Sequence, residues 1–266
     1  MSTTEIPAAL VKQLRDETGA GMMDCKRALQ ETGGDVEAAK RLLRERGMAE
    51  AGKRAGRETT EGIVLARTDG DRGTIVAVGC ETEPVSKNDE FLAFAQKVLE
   101  TVEQDSPDAL EQLEDDRVEL VGKIGENVAL RGATRLEREG DETLGVYVHP
   151  PANKIGVLVK IRGSEDTARQ LAMHISFAAP KHRTREEVPA DEVESERTIY
   201  EKLPEVQDKP DQVRDKILEG MLRKRFFAQI VLLDQEWIHE SGKTVGQVLQ
   251  EQDAEVLDFA RYALAG

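Results

Sequence analysis

Apolar residues in the first fifty positions recur at helical spacing. Leu10, Val11 and Leu14 share one face, and Pro7 suits the first turn of that helix. Thr18-Gly19-Ala20-Gly21 then stops it, because glycine accepts left-handed backbone angles. A second helix is predicted from about Met22 to Glu31, burying Met23, Ala28 and Leu29. Gly33-Gly34 makes a turn, and Asp35 caps a third helix carrying Val36, Ala39, Leu42 and Leu43, with Gly47 in a C-cap position. Residues 1–55 therefore read as a three-helix bundle near the lower size limit for folding alone. Lys53-Arg54-Ala55-Gly56-Arg57 reads as an exposed linker.

Beyond it the period changes to two. Gly62-Ile-Val-Leu-Ala-Arg and Gly73-Thr-Ile-Val-Ala-Val-Gly flank the turn signal Asp69-Gly70, which predicts a β-hairpin. Gly145-Val-Tyr-Val-His and Gly156-Val-Leu-Val-Lys-Ile flank Pro150-Pro151 in the same way. The glycine pairs 62/73 and 145/156 are equally spaced, and each hairpin is followed by a helical pattern. One starts near Asn88 and buries Phe91, Phe94, Val98 and Leu99. The other starts near Ser164 and buries Ala168, Leu171, Ala172 and Ile175. Further helix is expected over residues 107–124. In 186–228, Val193, Ile199 and Leu203 oppose Val213, Ile217 and Met221 across a turn bracketed by Pro204 and Pro210. That segment reads as a protruding antiparallel coiled coil with one apolar seam. Thr244-Val-Gly-Gln247 is a capping-box pattern, and an alternating strand follows from about Val256 to Ala263.

The fold class is therefore α+β: a three-helix bundle, a core of two related hairpin-plus-helix subdomains, a coiled-coil hairpin and a short C-terminal module. The divisions are 1–55, 56–140, 141–185, 186–228 and 229–266, the last completing the second subdomain.

Composition narrows the function. The 266 residues carry a formal charge of −15, so the surface repels phosphate backbones. Arg223-Lys224-Arg225 is the nearest thing to a basic patch, and three cations on a helix are ordinarily a solvated face. Cys25 and Cys80 belong to no metal-ligand pattern and read as reduced, half-buried thiols. The first thirty residues have no leader pattern, and no apolar run is long enough to span a bilayer. Phosphate-loop and nucleophile-elbow motifs are absent. His149, His174, His182 and His239 are isolated, and an isolated histidine is ordinarily structural. No cofactor is called for. A binding or regulatory protein is favoured over a catalyst of covalent chemistry, with a generic protein-binding adaptor as the alternative.

Leu14-Arg-Asp-Glu-Thr-Gly-Ala-Gly-Met-Met-Asp-Cys-Lys-Arg-Ala-Leu29 closely resembles the signature of the elongation factor Ts family. Cys80-Glu-Thr82, Lys123-Ile-Gly-Glu-Asn127, Ala172-Met-His174 and Gly242-Lys-Thr-Val-Gly246 agree with that family in order, so the resemblance covers nearly the whole chain. It implies a cytoplasmic nucleotide-exchange factor for elongation factor Tu, a bundle similar to ubiquitin-associated domains, and contacts with the nucleotide-binding and third domains of the partner. A two-to-two assembly with that partner is compatible with it. No direct nucleic acid and no membrane are implied.

The resemblance also implies site residues. Met22, Met23 and Lys26 would dock on the partner's nucleotide-binding domain. Thr82, Glu83, Pro84 and Val85 occupy the family's Thr-Asp-Phe-Val segment, which dislodges Mg²⁺ from the partner. Ile124 and Gly125 would press near the same nucleotide. His149 would be a contact histidine of the second subdomain, and Met173 and His174 would lie on a helix near the partner's third domain. Pro84 and Glu83 replace the family's aromatic and aspartate, so the segment is expected to act as a stiff loop in which Pro84 biases Glu83 toward extended angles.

Overall fold

Ile75-Val-Ala-Val and Val157-Leu-Val show no polar alternation because both faces of each strand are covered. The computed structural model describes residues 6–264 and places these runs at the centres of two three-stranded antiparallel sheets. The first holds β1 (Glu61–Asp69), β2 (Arg72–Cys80) and β3 (Val128–Glu137), in that spatial order. The second holds β4 (Glu142–Val148), β5 (Ile155–Arg162) and β6 (Glu255–Ala263), again with the second strand central. Helix and sheet are thus mixed, as the two periodicities predict.

The helices are α1 (Ala8–Thr18), α2 (Met22–Glu31), α3 (Val36–Arg54), α4 (Glu83–Ser86), α5 (Asp89–Gln104) and α6 (Glu114–Ile124) in the first half. The second half adds α7 (Glu165–Ala178), α8 (Ala190–Glu201), α9 (Pro204–Gln207), α10 (Asp211–Met221), α11 (Ala228–Ile230) and α12 (Val245–Glu251). Side-chain caps explain several starts. Asp35 accepts from the Ala38 N–H, Asn88 from those of Glu90 and Phe91, and Ser164 from that of Thr167. Thr244 and Gln247 complete the capping box that their spacing predicts.

The two sheets lie face to face over Val64, Ile75, Ala77 and Leu158. Two glycines make the approach possible. A β-carbon on Gly73 would fall 2.6 Å from Leu158 Cδ1 and 3.4 Å from Leu144 Cδ1. One on Gly156 would fall 2.5 Å from Val64 Cγ1 and 3.3 Å from Ile75 Cδ1. The relation is reciprocal: each central strand leaves a gap that the other sheet fills. The ladders also share an irregularity, between Ala77 and Val78 in one and between Lys160 and Ile161 in the other. In both, the shift follows the glycine by the same interval. Gly62 and Gly145 are not equivalent in this way, since Gly62 faces Gly79 while Gly145 faces Val159. The equal glycine spacing in the sequence therefore relates only Gly73 to Gly156.

The outer faces carry helices. Phe91, Phe94, Val98 and Val102 of α5, with Leu120 and Val121 of α6, cover the first sheet. Leu171, Ala172 and Ile175 of α7, with Trp237, Val245 and Leu249, cover the second. Each buried Val, Leu, Ile or Phe side chain among them withdraws enough apolar surface to contribute about 1.5–3 kcal/mol.

Several expectations are corrected. Met23 is 63% exposed, and Cys25, Ala28 and Leu29 form the buried face of α2 instead. Both cysteines are fully buried. Gly47 does not end α3, which continues to Arg54. Gly47 lies against Gly122 of α6, where a β-carbon on Gly122 would stand 3.1 Å from Gly47 Cα. Small residues let these two helices approach closely, and Ala51 then enters the core beneath the first sheet. Lys53 and Arg54 are accordingly helical, not linker. In the hairpin, Tyr200, Val206, Leu218, Met221 and Leu222 form the seam, while Ile199 and Val213 are exposed. A π-helical stretch, Leu222–Phe227, follows α10.

Gly156→Val should force Val64 and Ile75 apart and lower stability by about 2 kcal/mol, the usual cost of overpacking. Gly56→Ala, at an open position, should leave stability unchanged. Chemical unfolding midpoints of the two variants check this.

Candidate functional site

The two sheets differ at one exit. In the second, β5 passes through Gly163 directly to Ser164, the cap of α7. In the first, residues 81–88, ending in the Asn88 cap, intervene between β2 and α5. This insert contains Thr82, Glu83, Pro84 and Val85. It is a helical turn, not an extended loop. Glu83 begins α4 and Pro84 lies in its first turn, where a missing N–H costs no hydrogen bond. The extended residue is Thr82, at φ −129° and ψ 153°. Thr82 and Pro84 are exposed. Glu83 is also exposed, 2.7 Å from the Lys87 ammonium, which lowers its pKa. Val85 is half-buried and packs on the first core, so it anchors the turn.

Ile124 and Gly125 end α6 beside this turn. Gly125 takes φ +79°, a left-handed C-cap that reverses the chain into Glu126 and Asn127. Two carboxylates then tie the segments together in opposite directions. Glu126 accepts from the Thr82 N–H at 3.0 Å and from the Thr82 hydroxyl at 2.6 Å. Glu81 accepts from the Asn127 N–H at 2.6 Å and pairs with Arg57 at 3.2 Å. That N–H, aided by the Arg57 guanidinium, holds the Glu81 carboxyl below the usual carboxylate range. The Asn127 amide donates to the Arg57 carbonyl at 2.9 Å, bringing in the chain that leaves α3.

The bundle abuts this region. The turn after α1 takes its left-handed angle at Gly19, and a β-carbon there would fall 3.0 Å from Cε of Lys123. Arg44 of α3 pairs with Asp115 of α6 at 3.0 Å. An open cleft of about 940 Å³ lies between bundle and α6, with Thr18, Gly21, Met48, Lys123 and Gly125 among its lining residues. On α2, Met22, Met23 and Lys26 are all exposed, and Lys26 makes no hydrogen bond or ion pair among the described residues.

The remaining predicted residues belong to the second sheet. His149 is exposed at the end of β4, with Nδ1 3.0 Å from the Tyr147 hydroxyl. Met173 is half-buried on α7. His174 is fully buried and cannot be a surface contact, which corrects its assignment. The helix turns it inward with Leu171 and Ile175, whereas Met173 lies outward. Sequence reasoning missed Phe177, 81% exposed one turn after Met173, and the bracing pair Glu81 and Glu126. Exposure of an apolar helical residue has no local signal, and acids are too common here for two to stand out. Among the described residues no His, Cys, Asp and Glu group could hold a metal, and no helix is long and apolar enough to cross a membrane.

Comparison with known proteins points one way. Residues 81–266 match the family model described as Elongation factor TS. A protein named Elongation factor Ts from Idiomarina loihiensis is 40% identical over 268 residues, covering 97% of this chain and 90% of the relative. Relatives of the same name from Serratia proteamaculans and Escherichia coli are 40% and 41% identical, each covering 97% of this chain and 91% of their own length.

The burial of His174 has a measurable consequence. Its Nε2–H donates to Gln235 Oε1 at 3.1 Å, and its Nδ1 accepts from the Ile238 N–H at 3.4 Å. The Gln235 amide donates to the Ala178 and Gln229 carbonyls, which fixes its oxygen toward the imidazole. Trp237 stacks on the ring with centroids 5.2 Å apart. A second ring proton would oppose the Ile238 N–H. Burial pushes the pKa down to about 4, and nearby His239 adds to this. The folded pKa is lower than the unfolded one, so stability from neutral His174 is present above pH 6.5 and is lost as pH falls toward 4. The difference corresponds to roughly 3 kcal/mol. At pH 5, His174→Gln should take up about one proton fewer on unfolding than the parent. Urea unfolding between pH 7.5 and 4.5 measures that slope.

Proposed function

The chain belongs to the elongation factor Ts family, and from that premise we propose that it binds elongation factor Tu and expels GDP so that GTP can enter. It does this as a cytoplasmic exchange factor without covalent chemistry, cofactor, nucleic acid or membrane. The observation that carries the reading is the joining of the Thr82–Val85 turn to Ile124 and Gly125 by Glu126, at the foot of the bundle.

On this reading the exposed α2 face of Met22, Met23 and Lys26 docks on the nucleotide-binding domain. The Thr82–Val85 turn reaches the partner's Mg²⁺, with Val85 as its root. Ile124 and Gly125 press beside the same nucleotide. His149 contacts the partner from the second subdomain, Met173 meets the third domain, and Phe177 extends that surface. The assembly is a two-to-two complex.

The physics is a coupling between ligands. The chain and Mg·GDP both bind the partner, and each weakens the other by the same factor. A shift of ~10⁴ in nucleotide affinity requires about 5.5 kcal/mol of differential binding. Separate contact regions can supply it together. Removing Mg²⁺ strips the phosphates of the largest local counter-charge. Pro84 limits the conformations of α4 before binding, which reduces the ordering cost on contact. The Glu83 carboxylate, ionised and solvent-facing, competes for the region of the ion by charge.

Release of a fluorescent GDP analogue from elongation factor Tu tests this. The chain should accelerate release at substoichiometric amounts, and an unchanged rate at saturation contradicts the proposal. Glu83→Ala should slow exchange about tenfold or more, as loss of a charged group at a reacting site does. Pro84→Gly should slow it less, and Pro84→Phe should match or exceed the parent.

A further inference from the structure

Thr82 and Glu126 are 44 residues apart in sequence, yet the Glu126 carboxylate joins the turn to the Ile124–Gly125 segment. We propose that Glu126 is a positioning residue for exchange: it holds the Thr82–Val85 turn in register with Ile124 and Gly125, so the two segments engage the partner as one rigid unit. This rests on the exchange reading above and deepens it.

Thr82 carries the argument. It occupies the N-cap position of α4, where a threonine hydroxyl ordinarily accepts from the helix's own N–H groups. No such bond forms here. The hydroxyl donates to Glu126 Oε1 at 2.6 Å, and the Thr82 N–H donates to Oε2 at 3.0 Å. The Thr82 carbonyl accepts from the Cys80 thiol at 3.3 Å and from the Ser86 N–H at 3.2 Å. All three polar groups of this residue are therefore engaged, two of them by one side chain from another segment.

A carboxylate suits the position. It presents two acceptors to two donors, and charge-assisted bonds of this kind are roughly twice as strong as neutral ones. An amide offers one acceptor and sets its NH₂ against a donor. The opposite brace, Glu81 to the Asn127 N–H, prevents the segments from pivoting about a single point. The left-handed angle at Gly125 turns the chain so that Glu126 can reach back. Neither Glu126 nor Thr82 contributes to the apolar cores, so weakening their contact should change geometry before it changes folding.

The test compares Glu126→Ala, Glu126→Gln, Thr82→Val and Glu83→Ala in the full chain. Readouts are the melting temperature, deuterium exchange of residues 81–88, and the dependence of GDP release on the concentration of elongation factor Tu·GDP. Glu126→Ala should leave the melting temperature and KM near those of the parent and raise deuterium exchange in 81–88 alone. It should lower the maximal release rate about tenfold, the loss expected when a charge-assisted contact no longer holds the turn. Glu126→Gln and Thr82→Val should fall between. Unchanged protection of 81–88, or a rise in KM with no change in maximal rate, overturns the positioning role. A parent-like rate for Glu126→Ala while Glu83→Ala is slow also overturns it and leaves the exchange reading standing. Parent-like rates for all four variants overturn the magnesium-displacing turn itself, and with it the role of Glu126.

Discussion

Gly73 and Gly156 let the central strands of two sheets meet with side chains interleaved into backbone gaps. Every other feature is placed relative to that contact. It buries one face of each sheet, so the other faces must be covered by helices, and α5, α6, α7 and α12 do so. It also fixes where β2 ends, and with that the root of the 81–88 insert. A close-packed interior transmits such placement because few voids absorb a shift. Bulk at either glycine would displace a sheet, and the insert would move with it.

Apolar packing locates the turn only coarsely, through Val85. Its orientation depends on directional bonds from Glu126, Cys80 and the Asn88 cap. The many surface ion pairs contribute little by comparison, since exposed pairs are each worth about 0–1 kcal/mol. The bundle is joined by small-residue packing of α3 on α6 and by Ala51, so α3 belongs to both bundle and core. The proposed docking face on α2 is thereby joined through α3 and α6 to Gly125.

Local patterns read well where a local cause decides. Asp35, Asn88, Ser164 and Thr244 each cap the helix that their type and spacing predict. The strands at Gly62 and Gly73 were legible from their turn. Gly47 was not, because its neighbour Gly122 is remote in sequence. The hairpin seam was misplaced at Ile199 and Val213, which face solvent, while Tyr200 and Leu218, each one residue beyond an expected apolar position, turn inward. Glu83 went against the extended preference before proline, since the short helix and its tertiary brace outweigh it. At the site, resemblance supplied Thr82–Val85 and Ile124–Gly125, but their adjacency is a tertiary fact. His174 shows the reverse: a motif residue whose surroundings make it core.

The central claim is that this chain and Mg·GDP compete through elongation factor Tu. The most direct measurement is the affinity of the chain for elongation factor Tu, by titration calorimetry, with nucleotide-free partner and again with saturating Mg·GDP. Reciprocal coupling predicts that Mg·GDP weakens binding by the same factor by which the chain weakens Mg·GDP. Equal affinity in the two titrations contradicts the account.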